Sequence, residues 1–496
     1  MKLNHIISTA IFGMVTAGAA AQMPERTDSL MLEADPWLHI YYNSSSQFDQ
    51  YEMSKILELR FDANNSNMLI NHDGKGEVPL SMKNIKNWAI GPNTPRIDIY
   101  TENWVSEITS KTEYLRGEMN FYGRGIFDDV HVESMRIRGR GNSTWNMPKK
   151  PYRLKFDEKT KFGKVKNAKN LVLLANYMDK SLMRNFVAMK FARMIGADFP
   201  NHVMPCDVYL NGLYKGNYML TEKVGINNGS IDIPKEQEVE SVLFELDTNS
   251  PDADEVQFTS STCKIPVNFK DPDAPVDADE AAAWHKEWQA DFNAMEAAAA
   301  SGSDKAWDYI DLDAFVRYVM VFNFCTNQEL KHPKSVYVWK TRGDKYRFGP
   351  VWDFDWAYGF DATSNAVNYE VALFTADAQR QAQFSSSTNR GISFFLPLVK
   401  NAKFLARYAE IWNEFYSNEE TVKEFFDSFD AYADILQPSA ANDATILQAN
   451  TYYHSYLPTP ESLRSWLVGH MRWINEKDNN YGLWEENNSS WGGGGW

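Results

Sequence analysis

The chain has 496 residues, a length that suggests about three structural units. Hydrophobic residues make up 44% and charged residues 23%, ordinary globular usage that excludes disorder as the main state. Lysine and arginine total 50 against 66 acids, a net charge of −16, which excludes general binding to nucleic acid or an anionic membrane outside a local basic patch. With 29 Phe, 24 Tyr and 16 Trp, both ring-rich cores and carbohydrate-contacting surfaces are open. Three cysteines (Cys206, Cys263, Cys325) are too few for a disulfide scaffold and lack metal-ligand spacing. One bridge with one free thiol, or three buried thiols, fits the count.

At the start, Lys2 and His5 precede the apolar stretch Ile6 to Ala17, and Ala19-Ala20-Ala21 supplies an A-x-A site before Gln22. Residues 1–21 therefore read as a secretory signal, and the mature protein as exported to the periplasm, the cell surface or the medium. No other window is apolar for about 18 residues, so no membrane span is expected.

Residues 22–129 read as a small β-rich module, with alternating runs such as Arg96-Ile97-Asp98-Ile99-Tyr100 between Asn, Asp, Gly and Pro turns. From Arg136 to Gly196 the chain carries 16 Lys or Arg against 3 acids, inside an otherwise acidic protein. That segment is either a solvated lysine face or a phosphate-binding lobe. Its order reads strand (Met135 to Arg138), polar loop (Gly139 to Thr144), strand (Tyr152 to Phe156), then a helix. Alternation puts Arg153 and Lys155 on one strand face. Asp179 or Ser181 is placed to cap the helix and Gly196 to stop it. Asp207 to Leu210, Asn211-Gly212, and Tyr218 to Thr221 form a hairpin signal. Residues 272–305 read as an inserted acidic helix. Further helices are expected around Phe315–Phe324, Leu396–Tyr416, Glu420–Leu436 and Pro460–Asn475, with a loose tail over residues 476–496.

Three constellations carry chemistry. Arg138-Gly139-Arg140-Gly141-Asn142-Ser143-Thr144 would let backbone amides and arginines approach an anion, or would be a plain polar turn. Lys155 on its strand, with Glu222 further on, would suit a phosphate-holding lysine or an ordinary exposed one. Trp352-Asp353-Phe354-Asp355-Trp356 sets two carboxylates among bulky rings, where burial calls for a partner such as Mg²⁺ or Ca²⁺, or a capping role at a turn.

Together these segments resemble the spore-coat protein H (CotH) kinase family. The resemblance rests on Arg138 to Trp145, Pro148-Lys149-Lys150-Pro151-Tyr152-Arg153-Leu154-Lys155, Asp179-x-Ser181-x-x-Arg184-Asn185, Asn211-Gly212-x-Tyr214-x-Gly216-x-Tyr218-x-Leu220-x-Glu222 and Trp352-Asp353-Phe354-Asp355, in that order. It spans residues 130–475 and implies an α+β, protein-kinase-like fold of two lobes, a β-rich N-lobe and a mainly helical C-lobe. It also implies phosphotransfer from ATP with Mg²⁺ to a protein or surface acceptor. By motif, Lys155 would hold ATP phosphates, Arg140, Asn142 and Ser143 would border them, and Asp353 or Asp355 would bind the metal. Glu222 would lie near the nucleotide cleft. The family's catalytic aspartate is expected after the Phe315–Phe324 helix, followed by a metal-binding asparagine. Here that segment reads Asn327-Gln328-Glu329-Leu330-Lys331-His332-Pro333-Lys334-Ser335. Glu329 takes the acid's place as candidate base, and Lys334 or Ser335 falls at the asparagine position. The resemblance then implies a variant catalyst or a non-catalytic, pseudokinase-like surface protein that binds a partner or glycan. A glycan hydrolase using Glu222 and Glu329 is the remaining reading, resting on export and the tryptophan count.

Overall fold

A computed structural model describes residues 37–43, 48–91, 93–248, 255–358, 369–370, 373–374, 390–447, 457 and 459–476. The signal-like segment 1–21 and the tail after Glu476 lie outside the described residues. Both helices and strands are present, so the chain is α+β.

The N-terminal strands form two small sheets. Strands β1 (Trp37–Tyr42), β2 (Phe48–Glu52) and β6 (Ile85–Gly91) pair in the order β2-β1-β6. Strands β3 (Ile56–Phe61), β4 (Asn67–His72) and β5 (Gly76–Ser81) form the second, in sequence order. Leu38, Ile40, Tyr51, Met68, Ile70 and Leu80 pack between them as a cluster separate from the main core.

The next seven strands close a barrel in the order β10-β11-β13-β12-β7-β8-β9. They are β7 (Arg96–Thr101), β8 (Leu115–Tyr122), β9 (Val130–Gly139), β10 (Tyr152–Thr160), β11 (Ala168–Leu174), β12 (Val203–Leu210) and β13 (Leu213–Glu222). Alternation builds it: Ile97, Ile99, Met119, Phe121, Ile137, Leu154 and Phe156 are buried, while Arg153 and Lys155 stay half-buried on the intervening face. The β12–β13 turn is the expected Asn-Gly hairpin, with Asn211 at φ 50° and Gly212 at φ 81°. The boundary expected at residue 129 divides this barrel. Strand β7 pairs in parallel with β12, Arg96 opposite Asp207, and β8 pairs with β9, so both belong with the strands that follow them. Sequence alternation marks a strand but not its partner.

A five-stranded sheet follows, ordered β15-β16-β14-β17-β18, from β14 (Ser241–Leu246), β15 (Gln257–Thr259), β16 (Pro266–Asp271), β17 (Val336–Thr341) and β18 (Arg347–Phe348). The helices are α1 (Arg184–Met194), α2 (Lys235–Glu238), α3 (Ala278–Ala300), α4 (Ala306–Tyr309), α5 (Leu312–Phe324), α6 (Arg390–Val399), α7 (Ala402–Tyr416), α8 (Glu419–Leu447) and α9 (Pro460–Glu476). The inserted acidic helix is α3, capped by Asp277. The expected helix over Leu396–Tyr416 is two helices, because Asn401 caps a new start by accepting the Lys403 N–H at 2.9 Å. Asp311 caps α5 in the same way. Rings fill the helical core: Phe191 of α1 stacks on Phe324 of α5 with centroids 3.8 Å apart and meets Phe415 edge-on at 5.0 Å. All three cysteines are buried and free.

Candidate active site

Two segments far apart in sequence build the centre of the site. Asp179 takes the backbone N–H of Arg184 at 2.9 Å and both the N–H and hydroxyl of Ser181, so it caps α1 from five residues upstream. This fixes Asn185 in the first turn. Its side-chain oxygen accepts the Phe354 N–H at 2.8 Å, and its amide donates to the Asp355 carboxylate. Arg184 meanwhile donates to the Ala357 carbonyl. The Asp179-to-Asn185 and Trp352-to-Asp355 motifs are thus one structural unit.

Asp353 sits at φ 65°, a costly conformation for a non-glycine residue, and Thr326 and Ser335 nearby have φ 50° and 51°. Asn327 connects the two stretches, donating to the Asp353 carbonyl at 3.1 Å and accepting the Glu329 N–H at 2.9 Å. The short 3₁₀ turn Gln328–Leu330 then carries Glu329 inward. Its Oε2 is buried and has no hydrogen-bond partner among the described residues. The Ser335 hydroxyl reaches Asp353 at 3.5 Å, and its N–H reaches Asp247 at 3.4 Å.

Burial, and then Asp353, raise Glu329 well above the ordinary carboxylate range, against the pull of Lys334. Burial also raises Asp353, while Arg140 and Lys334 draw it down. Asp355 is pushed up to about 8 by burial and by Asp353 and Asp179. On the opposite side, burial and the charge of Arg153 push Lys223 down to about 8, with Lys270 and Arg140 also repelling it. Arg140 is the cation whose charge reaches both groups, drawing Asp353 down and repelling Lys223.

The expected residues are distributed unevenly. Glu329, Asp353, Asp355 and Arg140 come together, and the Arg140 guanidinium lies 5.6 Å from the Trp352 ring centroid. Asn142 and Ser143 are exposed on the loop after Gly141, which has φ 86°. Lys155 shares a strand face with Arg153 but makes no hydrogen bond or ion pair among the described residues. Glu222 is buried and ties loops: it accepts the N–H of Lys166 and of His202, each at 2.8 Å. Residues not singled out beforehand are Asn327, Lys223, Glu245 and Asp247. Val242-Leu243-Phe244-Glu245-Leu246-Asp247 carried a usable signal, since acids inside a fully apolar strand need a purpose. Glu245 accepts from Tyr337 at 2.9 Å and pairs with Lys270 at 3.0 Å. Among the described residues, no three His, Cys, Asp or Glu side chains converge as a ready metal-ligand set.

Arg140, from the loop after β9, acts on the buried Asp353, and a cation beside buried carboxylates suits a bound anion with a counter-cation. The family model described as CotH kinase protein matches residues 137–491. The chain belongs to the CotH kinase family and is a kinase-like protein. A search among curated proteins finds no match.

Proposed function

We propose that the chain is an exported phosphotransferase that moves a phosphoryl group from Mg-ATP to a hydroxyl of a protein or other surface acceptor. The barrel and the helical region would be the two lobes of a kinase-like fold, with the N-terminal sheets as an added β module. The observation that carries this reading is the group of buried carboxylates near Arg140 and Lys334, with the Glu329 Oε2 atom lacking a partner among the described residues.

The donor set fits a hard divalent cation: every donor is a carboxylate oxygen, and their burial together is unfavourable without a positive charge. Mg²⁺ is commonly held by one or two carboxylates plus substrate phosphates, so a complete protein cage is not required. Asp353, with Asp355 behind it, would hold Mg²⁺, which would supply positive charge against the phosphates. Arg140, Arg153 and Lys223 would take the remaining phosphate charge, with Asn142 and Ser143 at the border and Lys155 reaching in from its strand. Asn185 keeps Asp355 in place. Glu329 would accept the acceptor hydroxyl's proton once a bound cation holds its carboxylate ionised against the effect of burial. Glu222 would act only through the loops it ties.

Millimolar Mg-ATP should raise the wild-type melting temperature, by the equivalent of about 2.7 kcal/mol at a hundredfold excess over Kd. Asp353→Ala and Lys155→Ala should each lose that shift. No shift in the wild type would replace this proposal with the non-catalytic binding protein. For export, mass spectrometry of protein from the native host should show a mature start at or near Gln22. An intact Met1 in the envelope or medium would reject it.

A further inference from the structure

Where the outer face of β7 and β8 meets the N-terminal sheet, a cavity of about 600 Å³ opens, lined in part by Trp37, Arg96, Tyr122 and Arg124. In the barrel order these two strands lie across from β11, so the cavity is built on other strands than the cation-bearing rim. Its size is ordinary for a small-molecule site.

The floor is prearranged. Ile97 and Ile99 point into the barrel, which turns Arg96 and Asp98 outward on the same face of β7. They form a two-pronged pair at 2.7 and 2.9 Å, and the Arg96 guanidinium lies 3.8 Å over the Tyr209 ring. Arg124 enters from the connection after β8 at φ 55°, a left-handed conformation that a non-glycine residue adopts at a cost. Its guanidinium lies 5.3 Å from the Trp37 ring centroid, and it donates to the Gln50 side-chain oxygen at 2.7 Å. Among the described residues it makes no ion pair. Burial and the nearby Arg96 hold it below the usual arginine range, so it gains from an added acceptor. Trp37 supplies one ring face and the exposed Tyr122 another, while Asp129 and Glu52 bring carboxylates to the rim.

The charges decide the ligand. Arg96 is matched by Asp98, and Glu52 by Lys55 at 2.5 Å, so Arg124 and Asp129 add one further charge of each sign to the lining. An anionic ligand would meet three carboxylates, and an apolar one would cover Arg124 without giving it an acceptor. Hydroxyls both donate and accept, which suits a wall of alternating guanidinium and carboxylate groups. The C–H faces of a pyranose ring suit the two aromatic walls. We propose that this cavity binds a neutral saccharide of one or two hexose units, separately from the nucleotide cleft.

The test uses the mature full-length chain on an array of neutral and acidic oligosaccharides, with the best neutral glycan then titrated by tryptophan fluorescence. Neutral glycans should bind. Tyr122→Ala and Arg124→Gln should weaken binding by about tenfold or more, while Tyr122→Phe keeps it. Tyr122 is exposed, so its removal leaves the fold intact if Arg124→Gln does not fold. Asp353→Ala should bind glycan as the wild type does, which separates this site from the cleft whether or not Mg-ATP binds there. Binding confined to acidic glycans, no glycan binding, or affinity unchanged in both Tyr122→Ala and Arg124→Gln would overturn the proposal.

Discussion

Two of the regions in which this protein buries carboxylates treat them differently. Between the barrel and α8, Asp443 accepts Lys149 Nζ at 2.8 Å and the Asn217 N–H at 3.1 Å, while Asp207 accepts the Tyr214 hydroxyl at 3.0 Å. Asn217 also donates to Ser439 at 2.7 Å. Around Asp353, Glu329 keeps a buried oxygen without a partner among the described residues, and the Ser335 hydroxyl stands 3.5 Å from Asp353. A carboxylate supplied with donors joins elements together. One left short of donors beside other acids favours the arrival of a cation. Burial alone therefore does not mark a functional acid; the shortage of donors around it does.

The comparison breaks most visibly if the supplied region loses its cation. Lys149→Ala leaves Asp443 buried and unpaired, and should cost about 3–5 kcal/mol in denaturant unfolding. The double variant Lys149→Met with Asp443→Leu should recover much of that loss, because neither charge then remains buried. Equal stability of Lys149→Ala and wild type would show that the pair is not structural.

In the cleft, charge removal should strike activity. Glu329→Gln should reduce phosphotransfer by about 10² to 10⁴-fold while leaving Mg-ATP binding in place, read with labelled ATP. Glu329→Asp draws the carboxylate back by about one bond, and should cost about a hundredfold in a pocket shaped for the longer acid. Equal activity in wild type and Glu329→Gln would remove Glu329 as the base.

Asp207 sharpens the contrast through pH. Burial raises its pKa from 3.8 to about 6, with Asp443 adding to the rise and Ser439, Tyr214 and Arg124 opposing it. Because the folded value lies above the unfolded one, the folded chain holds the extra proton between those values. The stability this supplies is complete below about pH 4 and lost as pH rises through about 6, roughly 2–3 kcal/mol in full. Relative to wild type, Asp207→Asn should gain stability across that window and hold the gain above it. A difference between the two proteins that does not change with pH would contradict this.

Much of this was legible in local pattern. Alternation located Arg153 and Lys155 on one face, Asn211-Gly212 gave the hairpin, and Asp179 announced the start of α1. The cleft acids Asp353 and Asp355 stood out because carboxylates among rings are unusual. Partnerships were not legible. Nothing in the sequence near Arg96 says that β7 pairs in parallel with β12, and Asn185 meets Asp355, a residue 170 positions later. The role of Lys155 rests on motif alone, while the charge of its strand neighbour Arg153 acts on Lys223, a contact that no local pattern announces. Such pairings depend on global closure of the barrel, which period-2 patterning does not encode.

Helix α8 reaches the chain just before β7 and just before β10: the Thr94 hydroxyl donates to the Ile435 carbonyl at 2.6 Å, and Lys149 meets Asp443. This sets a timetable for the newborn chain. Lys149 must wait for a residue 294 positions later. At ribosomal speeds of about 5–20 residues per second, that delay is roughly 15–60 s. Throughout it the barrel strands exist without their closing helix. A chain built this way leaves Lys149 without its partner until Asp443 has been synthesised.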